Sequence, residues 1–82
     1  MKITGVAIIY KGILYSLDAP ARHDEVIYKI HEETGDLDVY GTQGFMADDG
    51  KFYNRFQARI IAQKAGQIIK PVYGELYSEN LW

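Results

Sequence analysis

Four cationic side chains have the type and spacing to hold an anion. Arg22 and His23 stand together ahead of an amphipathic stretch, and Arg55 and Arg59 lie four residues apart, a spacing that puts both on one face of a helix. Arg55 directly follows Asn54, a good helix cap, so its guanidinium would stand beside backbone amides that lack an intrahelical acceptor. Helix starts bind phosphate through those amides and the helix dipole. A guanidinium adds paired bonds to phosphate oxygens. Phe45, Phe52, Tyr53, Tyr77 and Trp82 could supply a stacking face for a base. Gln43, Asn54 and Ser78 carry the donors and acceptors that ribose hydroxyls or base edges need. The ordinary alternative is that the arginines lie on a solvated helix face, that Arg22 pairs with Glu25, and that the aromatic residues are core.

Other chemistries lack their residues. The chain has no cysteine, which excludes a disulfide framework, a thiol nucleophile and a cysteine zinc site. Asp36-Leu37-Asp38-Val39-Tyr40-Gly41 opens like a calcium loop, but its fifth position is Tyr40 and its twelfth is Ala47 in place of the bidentate Glu. His31 is not followed by a second His four residues on, and His23 and His31 would need further ligands from elsewhere, so no metal or other cofactor is expected. Phosphate-loop, dinucleotide and serine-elbow motifs are absent. Gly41-Thr42-Gln43-Gly44 has the GxxG spacing of RNA-clamping loops but carries no Lys or Arg and sits in strand pattern. A bulge or kink at a sheet rim is the expectation there. A histidine without an orienting partner or a second catalytic group does not make an enzyme, so a phosphoesterase using His23 or His31 is the weakest reading.

The elements that must position these groups fit in one domain, residues 1–82, with 82 residues in all. Nine Lys and Arg against eleven Asp and Glu give a net charge of −2, which argues against bulk nucleic-acid binding. No apolar run approaches the ~20 residues that span a bilayer, and residues 1–5 do not read as a signal peptide. A cytoplasmic protein with no membrane contact is the expectation. At this size a single core supplies only about 3–5 kcal/mol, yet 48% of the residues are apolar and seven are Tyr. Assembly into a homo-oligomer would bury the surplus.

Residues 3–10 and 13–17 flank Lys11-Gly12 and read as a β-hairpin. Asp18-Ala19-Pro20 ends the second strand. A helix is predicted from about Ala21 to Thr34, with Val26, Ile27 and Ile30 on one stripe and Gly35 as its stop. Leu37, Val39 and Tyr40 look strand-like, and Phe45-Met46 resumes that pattern. Asp48-Asp49-Gly50 turns into a short Lys51-Phe52-Tyr53 strand. The second helix begins at Asn54, with Gln57 completing a capping box, Phe56, Ile60 and Ile61 as its apolar stripe, Ala58, Ala62 and Ala65 permitting close packing and Gly66 as its stop. The tail, 67–82, has the pairs Ile68-Ile69 and Val72-Tyr73 as a candidate edge strand. The ββαββα order implies the α+β class: an antiparallel sheet with two helices covering one face, plus an extended aromatic C-terminal tail.

Beyond spacing, the C-terminal part carries a recognisable string: Gly44-Phe45, Gly50-x-Phe52-x-x-Arg55, Ala58, Gly66-Gln67-Ile68 and Leu76-Tyr77-Ser78-Glu79-x-Leu81-Trp82. Together with Arg22-His23 it resembles a group of small phage and prophage proteins across about residues 20–82. Asn80 stands where Asp is commoner in that group, and Gln57 where an acidic residue often follows the arginine. Phage proteins of this size and class look similar to anti-defence sponges, which hold nucleotide immune signals such as cyclic ADP-ribose isomers without cleaving them. The resemblance implies a non-catalytic protein that sequesters a small nucleotide signal. Arg22, Arg55 and His23 would hold phosphates, and Phe45, Tyr77 or Trp82 would stack on a base. Gln43, Asn54 and Ser78 would take hydroxyls or base edges. The alternative is an anti-defence or regulatory protein whose acidic strip, Asp24, Glu25, Glu32 and Glu33 with Asp36 and Asp38, contacts a host protein directly.

Overall fold

A computed structural model describes residues 1–82. Its sheet has four strands in the order β2-β1-β3-β4, all antiparallel: β1 is Ile3–Tyr10, β2 Ile13–Asp18, β3 Thr42–Ala47 and β4 Phe52–Asn54. Helix α1, His23–Thr34, joins β2 to β3, and α2, Arg55–Lys64, follows β4. The fold is α+β, with the ββαββα order.

The hairpin turn is tight because Lys11 and Gly12 both adopt positive φ, 50° and 77°, the geometry whose twist matches paired strands. Alternation along β1 then divides the sheet. Val6, Ile8 and Tyr10 face the helices with Tyr15, Leu17 and Phe45 across the ladder. Ala7 and Ile9 share the other face with Leu14, Gly44, Met46 and Phe52. A register shift between Ile3 and Gly5 brings Ile3 onto the core face beside Ala47. Gly44 is required by close approach: a Cβ there would collide with the Phe52 ring and the Tyr53 carbonyl.

α1 lies on β1 and β2, and α2 on β3 and β4. Several expectations shift. α1 starts at His23, not Ala21, with Arg22 extended at its cap. Leu37 and Tyr40 are exposed and irregular, because no neighbouring strand reaches them, and the strand begins at Thr42. Gly41-Thr42-Gln43-Gly44 is not a kink, since Thr42, Gln43 and Gly44 pair with Ile9, Ile8 and Ala7 in the ladder. In α2 the buried positions are Ala58 and Ala62, while Phe56 and Ile60 face outward. Alanines bring this helix close to the sheet, and the larger residues would not fit on that side.

The tail adds no strand. It folds back across the helices and ends in a single 3-10 turn, Ser78–Asn80. Leu76 and Leu81 plug the core. The Gln67 side chain substitutes for a strand partner: its Oε1 accepts from the Ile3 amide and its Nε2 donates to the Ile3 carbonyl, both at 2.8 Å. The Ile69 amide donates to the Asn80 carbonyl at 2.8 Å and pins the turn.

Candidate functional site

Both helices begin at one cleft, and the returning tail forms its third wall. At α1 the Arg22 amide donates to the Glu25 carboxylate at 3.0 Å. That capping bond occupies Glu25, so the Arg22 guanidinium reaches instead to Ser78 Oγ, 3.2 Å away. His23 points inward and is buried. Its Nε2 lies 2.7 Å from the Gly44 carbonyl, and since a carbonyl only accepts, that nitrogen carries the proton. The ring stands edge-on to Phe45, with centroids 5.0 Å apart. Burial pushes the His23 pKa below its ordinary value, and the Arg55 charge adds to that. The Gly44 bond, Glu79 and Asp24 oppose it without reversing it.

At α2 the Asn54 side chain accepts from the Gln57 amide at 2.8 Å, and Gln57 Oε1 accepts from the Asn54 amide at 3.1 Å, the reciprocal capping box. Arg55 occupies the first helical position. Its guanidinium donates to the Leu76 carbonyl at 2.6 Å and to Gln43 Oε1. The Leu76 amide returns a bond to the Arg55 carbonyl at 3.1 Å. The guanidinium carbon lies 4.6 Å from the Tyr77 ring centroid, within cation–π range. Burial lowers the Arg55 pKa against the pull of Tyr77, Glu75 and Glu79, but a guanidinium stays cationic in any such setting.

The cleft encloses about 260 Å³ and is lined by Arg22, His23, Asp24, Arg55, Tyr77, Ser78 and Glu79. Glu79 is held below the usual carboxylate range by its own backbone amide, with Arg22 assisting. A second groove of about 470 Å³, lined by Gly41, Thr42, Gln43, Asn54, Phe56 and Glu75, also borders Arg55. The electrostatic feature of the cleft is a pair of guanidiniums without a direct ion pair, although Asp24 and Glu79 line the same space. The chain's ion pair is Lys11–Asp36, and neither Arg22 nor Arg55 has a carboxylate within 4 Å. Their bonds go to neutral acceptors.

Residues 2–82 match the family described as Phage T4 y16D protein. The chain belongs to that family. No curated protein and no solved structure matches it. No helix is long and apolar enough to cross a membrane.

Within this y16D family fold, the residues singled out by sequence distribute unevenly. Arg22, His23, Arg55, Tyr77 and Ser78 meet at one cleft. Gln43 and Asn54 border the neighbouring groove, where Gln43 steadies Arg55 and the Asn54 side chain is engaged in its cap. Phe45 has no exposed surface. It cannot stack on a ligand and instead floors the site beneath His23. Trp82 lies outside the cleft, and its indole nitrogen donates to the Ala21 carbonyl at 3.0 Å, bracing the residue before Arg22. Arg59 borders neither cavity, so Arg55 shares its cleft with Arg22 and not with its helical neighbour. Sequence reasoning missed Asp24, Glu75, Glu79 and the Leu76 carbonyl as site groups. Asp24 and Glu79 are adjacent to His23 and Ser78 and could have been found by that adjacency. The Leu76 carbonyl carries no signal in the sequence, because every residue has one.

Proposed function

We propose that the protein is a phage anti-defence protein that binds a phosphate-bearing nucleotide signal, ADP-ribose-derived or cyclic, and sequesters it without turnover. The observation that carries this reading is the pair of guanidiniums, Arg22 and Arg55, lining one cleft with no carboxylate partner for either. A phosphate accepts charge-assisted bonds from both, at two helix starts whose dipoles favour an anion. Tyr77, half exposed beside them, offers a ring for a base or ribose, and Ser78 Oγ a hydroxyl partner. Asp24 and Glu79, which line the same cleft, suit donors on the ligand, such as ribose hydroxyls or an exocyclic amine.

Sequestration also fits the state of His23. Its Nε2 proton is committed to the Gly44 carbonyl, and its lowered pKa keeps it neutral at pH ~7. It therefore serves as a fixed wall of the cleft. A protein that removes a signal needs slow release and a dissociation constant in about the nanomolar range, ~ −12 kcal/mol. The test is depletion. Purified protein is incubated with ADP-ribose-derived signals and with cyclic dinucleotides, the free ligand is measured, and the protein is then heat-denatured. One signal should disappear from solution and return intact on heating. Depletion of none of them, or return of a cleaved product, overturns the reading.

A further inference from the structure

Helix α2 is amphipathic in the unusual sense. Its buried positions are Ala58 and Ala62, while Phe56 and Ile60 are 53% and 46% exposed. At helical spacing Phe56 and Ile60 form one outward stripe, with Arg59 and Lys64 on its two sides. Across its length α2 carries Arg55, Arg59 and Lys64 and no carboxylate. Helix α1 is its electrostatic opposite, with Asp24, Glu25, Glu32 and Glu33 against Lys29. Its outward side centres on Tyr28, 62% exposed, with Asp24 and Glu32 one turn before and after it. Each helix therefore presents an apolar centre between charges, of one sign on α1 and the other on α2. Within one copy these faces do not meet, since α1 packs on β1 and β2 and α2 on β3 and β4.

We propose that the outward face of α2 docks on the outward face of α1 of a second copy of this chain. Opposite signs select this pairing, because two α2 faces would oppose cations and two α1 faces would oppose carboxylates. Phe56 and Ile60 against Tyr28 supply the apolar centre that such contacts need. The two faces differ, so the contact is head-to-tail. It closes into a ring if the rotation between copies permits and otherwise extends as an open chain. Each copy then covers two of its exposed apolar patches, which suits a chain of 82 residues that leaves eleven large hydrophobic side chains exposed. The proposal does not depend on what the cleft binds.

Native mass spectrometry and light scattering on the full chain test it. The wild type should run as an oligomer that weakens with added salt. E32K and K64E should each weaken assembly about tenfold or more. The E32K/K64E double variant should recover it, since every copy then carries both reversed faces. F56S/I60S should be monomeric, with an unchanged far-ultraviolet spectrum showing that it remains folded. A wild type that stays monomeric at ~100 μM overturns the proposal, as does an oligomer indifferent to the single reversals or not restored by the double one. Retention of a host protein through α1 by a chain that itself stays monomeric overturns it equally.

Discussion

Two polar clusters divide the molecule's charge in opposite ways. Around the hairpin turn, Asp36 accepts from the Tyr10 hydroxyl at 2.6 Å and pairs with Lys11 at 3.2 Å. That cluster neutralises itself, with its ion pair exposed and the Tyr10 ring buried in the core. At the cleft, Arg22 and Arg55 are held by Ser78 Oγ, the Leu76 carbonyl and Gln43 Oε1. These acceptors fix the guanidiniums without cancelling their charge. The first arrangement ties a turn to a loop and ends there. The second leaves two guanidiniums facing one cleft that Asp24 and Glu79 line without pairing to them directly, an arrangement that suits an anion under the function proposed above.

The comparison breaks most readily at Arg55. R55A removes two bonds from a half-buried cation and frees the Leu76 carbonyl that the tail presents to it. It should destabilise the fold by about 3 kcal/mol in urea unfolding, by the usual worth of hydrogen bonds to charged groups. R22A removes one bond to Ser78 and should cost only about 1 kcal/mol of stability. It should nonetheless weaken ligand binding roughly thirtyfold, about 2 kcal/mol. Equal stability losses in the two variants would show that Arg22 is as structural as Arg55, and the division between fixing and using a cation would fail.

His23 sharpens the same contrast through pH. Its folded pKa is lowered by burial from 6.5, so in a window below pH 6.5 the unfolded chain binds the proton and the folded chain does not. Stability is therefore complete above that value and falls as pH drops through the window. Unfolding midpoints in urea from pH ~7 down to ~5 should show this slope, and H23Q should flatten it. A His23 signal, identified by its loss in H23Q, that titrates above 6.5 in the folded wild type would reverse the sign.

How much of this was legible depends on what each residue's partner is. The hairpin at Lys11-Gly12, the α2 cap at Asn54 and Gln57 and the stop at Gly35 are local, so neighbouring residues suffice to find them. The orientation of α2 was legible in part: Ala58 and Ala62 read as close-packing positions and are buried, but the stripe of Phe56 and Ile60 reads as core until the sheet leaves both outside. The pairing of Arg22 with Arg55 was legible as two separate helix starts. Their convergence depends on the tail returning through Ser78 and Leu76, contacts 56 and 21 residues apart in sequence. That Phe45 is covered and Trp82 lies outside the cleft was not legible, because an aromatic residue in sequence shows its type and not which side of it is covered.

The smallest expected effect belongs to the self-neutralised cluster, and it tests the other side of the comparison. The Tyr10 hydroxyl, with the Lys11 ammonium, holds the Asp36 carboxyl below its ordinary value. A carboxyl so lowered contributes stability that is complete above the ordinary carboxylate value and is lost as pH falls through its folded value. This acid window opens only below 3.8, whereas that of His23 opens below 6.5, so the His23 slope begins first as pH falls. D36N should remove the lower slope and leave the upper one. At neutral pH its effect should be less than that of R22A and should shrink further in salt, because an exposed pair is screened and contributes little. If D36N instead abolished ligand depletion, the hairpin cluster would not be closed on itself, and the cleft would have to be read as extending to that end of the molecule.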